Sequence, residues 1–211
     1  MGKRVLELCG SGLSLKTLVF FSRAPRDTIL IKVAASSIEN MKTNTKKIIP
    51  VVVHVIYDDQ HGGNITNEQI QNALDILNNN INGQADNFLS RTPDIFAAFR
   101  GDLNVEFRLA KKDPNGNPTN GITRTSTTQT SFSTNDGVKY SSSGGKDAWN
   151  TSKYLNMWVC DLSGGLLGYA QFPGGASSTD GVVVDYAYFG NTGTATFPFS
   201  LGRTATHEVG H

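Results

Sequence analysis

In Thr204–His211, TATHEVGH, two histidines stand four residues apart and Glu208 directly follows the first. On a helix, residues four apart share a face, so His207 and His211 can aim both imidazoles at one ion. Zinc in hydrolases takes nitrogen ligands and keeps a position open for water. A glutamate after the first ligand reaches that open side. It can take a proton from metal-bound water and pass it to a leaving amine. The pattern predicts a zinc hydrolase with His207 and His211 as ligands and Glu208 as general base and acid. Other hydrolytic designs fare worse: no G-x-S-x-G elbow is present, and no His/Asp/Ser set stands out. The bland reading is a helix with ordinary surface or core histidines. Against it, a chance match among four histidines is on the order of one in several hundred.

These residues need a scaffold. A helix opens near Leu201 and carries the motif. IIPVVVHVIYDD reads as a buried strand, Ile48 to Tyr57. Thr66 starts a helix, with Gln69 completing a capping box and Ile65 and Ile70 forming a hydrophobic staple. Ile70, Ala73, Leu74, Leu77 and Ile81 mark one face of it. LNVEFRLAKK alternates Val105, Phe107 and Leu109 against Glu106 and Arg108, the mark of a half-exposed strand. DPNGNPTNG is a turn, and a polar loop rich in Ser, Thr and Asn runs from it to about Lys146. KYLNMWVCDL, LLGYAQFP and GVVVDYAYFG supply three further strands. The order is strand, helix, four strands, helix, which predicts an α/β layer: a twisted, mixed, five-stranded sheet with helices on one side.

Composition narrows the class. The 211 residues carry a net charge of +1, with 18% charged and 38% hydrophobic residues and 22 glycines. That balance gives no electrostatic footprint for nucleic acid, and no apolar run is long enough to span a bilayer. Two cysteines, Cys9 and Cys160, make no disulfide framework. Cys160 reads as a small buried apolar residue in a strand. The text is irregular before Lys46 and periodic after it. Residues 1–45 therefore form a poorly defined N-terminal segment and residues 46–211 the folded unit. The N-terminus carries no convincing export signal, because Glu7 and Lys16 break its apolar stretch.

The segments IPVVVHVIYDD, DPNGNPTNGITRTST, SSSGGKDAWNTSKYLNMWVCDL, GGLLGYAQFPGG, TDGVVVDYAYFG and LGRTATHEVGH together resemble the pappalysin family of metzincin zinc metallopeptidases, in its microbial cytophagalysin- or ulilysin-like branch. The resemblance runs from about Ile48 to His211. It implies the upper subdomain of a two-part catalytic domain, a five-stranded sheet with a backing helix and an active-site helix. It further implies Zn2+ as cofactor, a peptide or protein substrate, and secretion. The family pattern H-E-x-x-H-x-x-G-x-x-H places a third histidine six residues past His211. The chain therefore reads as an incomplete fragment with little activity alone. In metzincins the strand matching GGLLGYAQFPGG is the sheet edge above the cleft. Leu167, Gly168, Tyr169 and Ala170 are then the substrate-binding residues, since an exposed edge can bind extended peptide by strand addition; the alternative is an ordinary short strand, which the glycines equally permit.

Weaker features are weighed beside these. His54, in a Val-rich strand, reads as a buried hydrogen-bonded residue rather than a ligand, and His61 as a solvated loop residue. Cys9–Gly10 matches the pair some family members use as a latch on zinc, but its flanks do not match. The loop from Asp113 alternates Asp and Asn as calcium loops do, yet lacks their closing Glu, so calcium is not indicated. Asn64 and Asn150 stand in acceptor sequons, which matter only in a eukaryotic secretory setting. Two readings compete with the enzyme. One is a non-catalytic truncated or pseudo-enzyme chain that at most binds peptide at its sheet edge. The other is a two-ligand site completed by water or by another chain.

Overall fold

The computed structural model describes residues 5–7, 16–18, 46–99 and 103–211. The chain divides into two compact units at Thr45–Lys46. In the first, β1 (Val5–Glu7) pairs antiparallel with β2 (Lys16–Leu18). Cys9, the latch candidate, lies outside the described residues.

The second unit is a mixed sheet between a helical layer and a loop layer. Its strands are β3 (Lys47–Tyr57), β4 (Val105–Leu109), β5 (Ile122–Ser126), β6 (Leu155–Cys160), β7 (Gly168–Ala170) and β8 (Val182–Asp185). They run in the order β4-β3-β6-β8-β7, and β5 also pairs with β3. All pairings are parallel except β7 with β8. The flank of β3 away from β6 is shared: Lys47–Val51 pairs with β4, and Val53–Tyr57 with β5.

The strands β6 and β8 and the Val51–Ile56 part of β3 are buried on both faces, as parallel strands usually are, whereas Ile48 and Pro50 at the start of β3 are exposed, so the buried run is shorter than the Ile48–Tyr57 expected. Val51, Val53 and Val55 point to one face with Met157, Val159, Val182 and Val184. Ile56, Trp158, Cys160 and Val183 point to the other. Helix α1 (Asn67–Ile81) lays Ile70, Ala73, Leu74 and Leu77 on the first face, and α3 (Arg203–Val209) adds Ala205. A third, four-residue helix, α2, spans Phe88–Arg91. Both longer helices thus lie on one side of the sheet, as the sequence predicts. Phe132 and Val138, from the long polar stretch, close the opposite face. No described helix is long and apolar enough to cross a membrane.

Two expectations change. The stretch after Gly121 is not all loop, because Ile122–Ser126 joins the sheet as a sixth strand. Only its first residue is apolar, and the strand exists through its parallel pairing with β3 rather than through its own hydrophobic period. The capping box is half formed. The Thr66 hydroxyl accepts from the Gln69 amide N–H at 3.1 Å, but the Gln69 side chain does not turn back to Thr66. It is buried and bridges to another segment. Its Nε2 donates to Phe189 O at 2.9 Å and to Thr194 Oγ1 at 2.8 Å, and its Oε1 accepts from Thr194 N at 3.1 Å. The buried Phe189 carbonyl needs a partner more than an exposed helix terminus does, because water can satisfy the terminus.

Candidate active site

Three features set the position of α3. Gly202 caps it at φ +67°, in the left-handed region, and a Cβ there would meet Ile76 Cδ1 of α1 at 2.7 Å. A glycine is needed on both counts. Asn80 Nδ2 of α1 donates to Thr206 Oγ1 at 2.9 Å, and Arg203 donates to Asn87 Oδ1 at 2.7 Å. Thr204 and Ala205 are buried against the core. The opposite side of α3 is left facing outward.

On that outward side the His207 and His211 rings face each other, both exposed, with Nε2 atoms 3.1 Å apart. The ring planes meet at 87°. Zinc–nitrogen bonds of 2.0–2.1 Å at a tetrahedral angle put two nitrogens about 3.3 Å apart. The pair therefore fits two positions of such an ion with little movement. Gly210 N–H donates to Thr206 O and His207 O, and His211 N–H to Glu208 O, which extends the helical turn to the second imidazole. The exposed Phe172 ring stands edge-on to His211, with centroids 5.4 Å apart. Among the described residues no group of three or more His, Cys, Asp or Glu side chains converges to hold a metal.

Glu208 is buried, unlike the two histidines. Burial raises its carboxyl pKa above the ordinary value, and the His207 and His211 imidazoles work in the opposite sense. Its side chain lies under β7. The Cγ and Oε1 atoms are 3.1 Å from where a Cβ on Gly168 would stand, and Val183 O is 2.8 Å from that point. Gly168 is thus the residue that lets the strand pass over the carboxylate.

The strand β7 is the terminal member of its sheet. The stretch Leu167–Ala170 divides by register. Asp185 N–H donates to Leu167 O at 2.9 Å, and Gln171 N–H donates to Gly181 O at 3.3 Å. The ladder pairs Gly168 with Val184, Tyr169 with Val183 and Ala170 with Val182. Alternate residues of an antiparallel strand direct both backbone groups at their partner. Leu167, Tyr169 and Gln171 therefore face β8, and Gly168 and Ala170 turn N–H and C=O to the open side. Side chains alternate as well. Ala170 packs on the helix face, and Tyr169 packs on the opposite face beside Trp158 and Val183.

The remaining histidines have other duties. His54 is fully buried, with Nδ1 2.7 Å from Thr123 Oγ1 and Nε2 3.0 Å from Asn156 Oδ1. Asn156 Oδ1 is an acceptor and also takes the Trp149 N–H, so the hydrogen-bond network assigns the His54 proton to Nε2. Burial pushes the His54 pKa down to about 4. His61 is exposed and bonded to Asp58. Cys160 is buried and free, and burial pushes its thiol up. Asp113 turns one carboxylate oxygen to the amides of Asn115 and Asn117, which closes a turn. The residues that sequence reasoning missed are Phe172, Asn80, Arg203 and Gly202. Only Gly202, just ahead of the motif helix, left a signal that could have been read.

No family model matches the chain. It is similar to solved structures of mirolysin from Tannerella forsythia. Mature mirolysin in complex with a cleaved peptide is 50% identical, with a TM-score of 0.75, over 79% of this chain and 63% of that one. A promirolysin mutant is 46% identical, with a TM-score of 0.75, over 84% of this chain and 61% of that one. An extracellular metalloprotease of Podospora anserina is 43% identical over 67 residues, 29% of this chain and 22% of its own length. The chain thus spans less than two thirds of the relatives it matches. The fold is metzincin-like, and the resemblance is to the pappalysin-family metzincins.

Proposed function

We propose that this chain carries the zinc-binding and proton-transfer part of a secreted metalloendopeptidase. The observation that carries the reading is the His207–His211 pair, 3.1 Å apart, beside a buried glutamate that lies beneath an open sheet edge. His207 and His211 would hold the ion through Nε2. When bound, zinc supplies a Lewis acid that polarises the scissile carbonyl and makes water acidic enough to attack at neutral pH.

The chain's own residues supply the rest. Gly168 and Ala170 would pair by backbone with an extended peptide and so align its scissile bond over Glu208. Glu208 would accept the proton from the attacking water and deliver it to the leaving amine as the C–N bond breaks. Its burial favours this exchange, because a carboxyl whose pKa is raised gives the proton up less readily to solvent. Two imidazoles fill two of four zinc positions, and the pappalysin pattern puts a third six residues beyond His211. The 211 residues alone would then hold zinc weakly and turn over little substrate. The similarity to a peptide-bound mirolysin and to an extracellular metalloprotease supports both the substrate class and the compartment.

The experiment is Glu208→Gln in a chain that includes the third ligand. Glutamine keeps the size but cannot take the proton. Zinc content should match wild type, while cleavage of a quenched peptide library falls by about 10²–10⁴-fold. Activity within a few-fold of wild type would refute the assignment.

A further inference from the structure

On the sheet face opposite α3 lies a lysine that the proposed chemistry does not use. Lys139 is 1% exposed. Its Nζ donates to Thr179 O at 2.7 Å and lies 2.9 Å from Asp136 Oδ1. It also stands 5.5 Å from the Trp158 ring centroid and 5.0 Å from that of Tyr169. Asp136 takes part from a left-handed backbone position, φ +62°, which is unfavourable for a residue with a Cβ. Its Oδ1 and the Tyr169 hydroxyl are buried without a well-aligned hydrogen bond among the described residues. A buried charge is costly unless paired. A leucine or methionine would fill this space at lower cost, so the ammonium calls for a reason.

Geometry supplies one. Two of the groups around Nζ belong to the two ends of the β7–β8 connection: Tyr169 is in β7, and Thr179 lies just before β8. The connection is further closed on itself. Gln171 Nε2 donates to Ala176 O at 2.9 Å, and Thr179 Oγ1 bonds to Gln171 Oε1. The edge strand is three residues long and, among the described residues, is paired on one side only. Its ladder with β8 sets its register, and packing on its two faces adds to what holds its height. An ammonium is directional where an alkyl group is not: it takes a carbonyl, a carboxylate and two ring faces at fixed positions.

We propose that Lys139 is a positioning residue for peptide binding: its buried ammonium ties Tyr169 and Thr179 together beneath the sheet and so fixes the edge at which Gly168 and Ala170 meet substrate. The inference rests on the reading of β7 as the substrate strand.

The test compares the 211-residue chain with two variants. Lys139→Met/Asp136→Ala removes both charges and leaves neither unpaired. Tyr169→Leu keeps the charges and removes the ring that links them to β7. Three quantities are read: anisotropy of a fluorescein-labelled hexapeptide pool, zinc uptake, and hydrogen exchange of the β7 amides. Both variants should weaken peptide binding by about tenfold or more, with faster β7 exchange. Zinc uptake at His207 and His211 should not change, which a general loss of structure would not spare. If one variant does not fold, the other decides. Peptide binding within about twofold of the parent, or parallel loss of zinc and peptide, overturns the inference while the substrate-strand reading stands. A parent chain that binds no peptide overturns that reading, and this inference with it.

Discussion

One buried histidine should make a separable contribution to acid destabilisation of this protein. His54 is fully buried, and its pKa is pushed from the ordinary 6.5 to about 4, chiefly by desolvation. In the unfolded chain it titrates normally. Above pH 7 both states are neutral and the group contributes no slope. As pH falls through 6.5 the unfolded state takes up a proton that the folded state refuses, so stability drops until about pH 4. At pH 4.5 the linkage relation gives a loss of about 2–3 kcal/mol for this group, roughly 5–10 °C in Tm for a chain of this size. Three raised carboxyls, Asp161, Asp185 and Glu208, act in the opposite sense. Their folded forms keep the proton longer, so they gain stability as pH falls. They are common to both proteins in the comparison that isolates His54. In His54→Gln the side-chain amide can still donate toward Asn156 and accept from Thr123, but it cannot titrate. Urea unfolding at pH 7 and pH 4.5 should show the wild type losing about 2 kcal/mol more than the variant. Equal losses in the two proteins would refute the desolvation argument.

Two further substitutions probe the scaffold. Gln69→Ala strips the partners from Phe189 O and Thr194 N and should cost about 1–3 kcal/mol in urea unfolding, since the buried Phe189 carbonyl goes unpaired. A cost under about 1 kcal/mol would show that water replaces the side chain. Gly168→Ala places a Cβ 2.8 Å from Val183 O and 3.1 Å from Glu208 Oε1, and should cost about 1–3 kcal/mol by overpacking. An unchanged midpoint in that variant would mean that β7 shifts freely away from Glu208.

The parts of the fold that were legible in the sequence are those with a private signal. Ile48–Tyr57 announces itself by its continuous apolar run, which the structure buries from Val51 to Ile56, α1 by its apolar stripe, and the motif helix by its histidine spacing. Strand β5 has no such signal, because its order comes from the flank of β3 that β4 leaves free. Gln69 was legible as a local partner of Thr66 and illegible as a bridge to Thr194, more than a hundred residues away. At the candidate site the residue types and spacing of His207, Glu208 and His211 were legible as a metal motif, and their roles are those proposed above. The close approach of Gly168 to Glu208 and the role of Lys139 depend on strands packing together, which no single segment encodes.

The central claim is that His207 and His211 act as one metal-binding pair. Zinc titration of the 211-residue chain by calorimetry, beside His207→Ala and His211→Ala, tests it most directly. The account expects one zinc per chain, with binding abolished or weakened by about tenfold or more in either variant, because a single imidazole cannot replace the pair. Zinc binding of equal stoichiometry and affinity in all three proteins would contradict it.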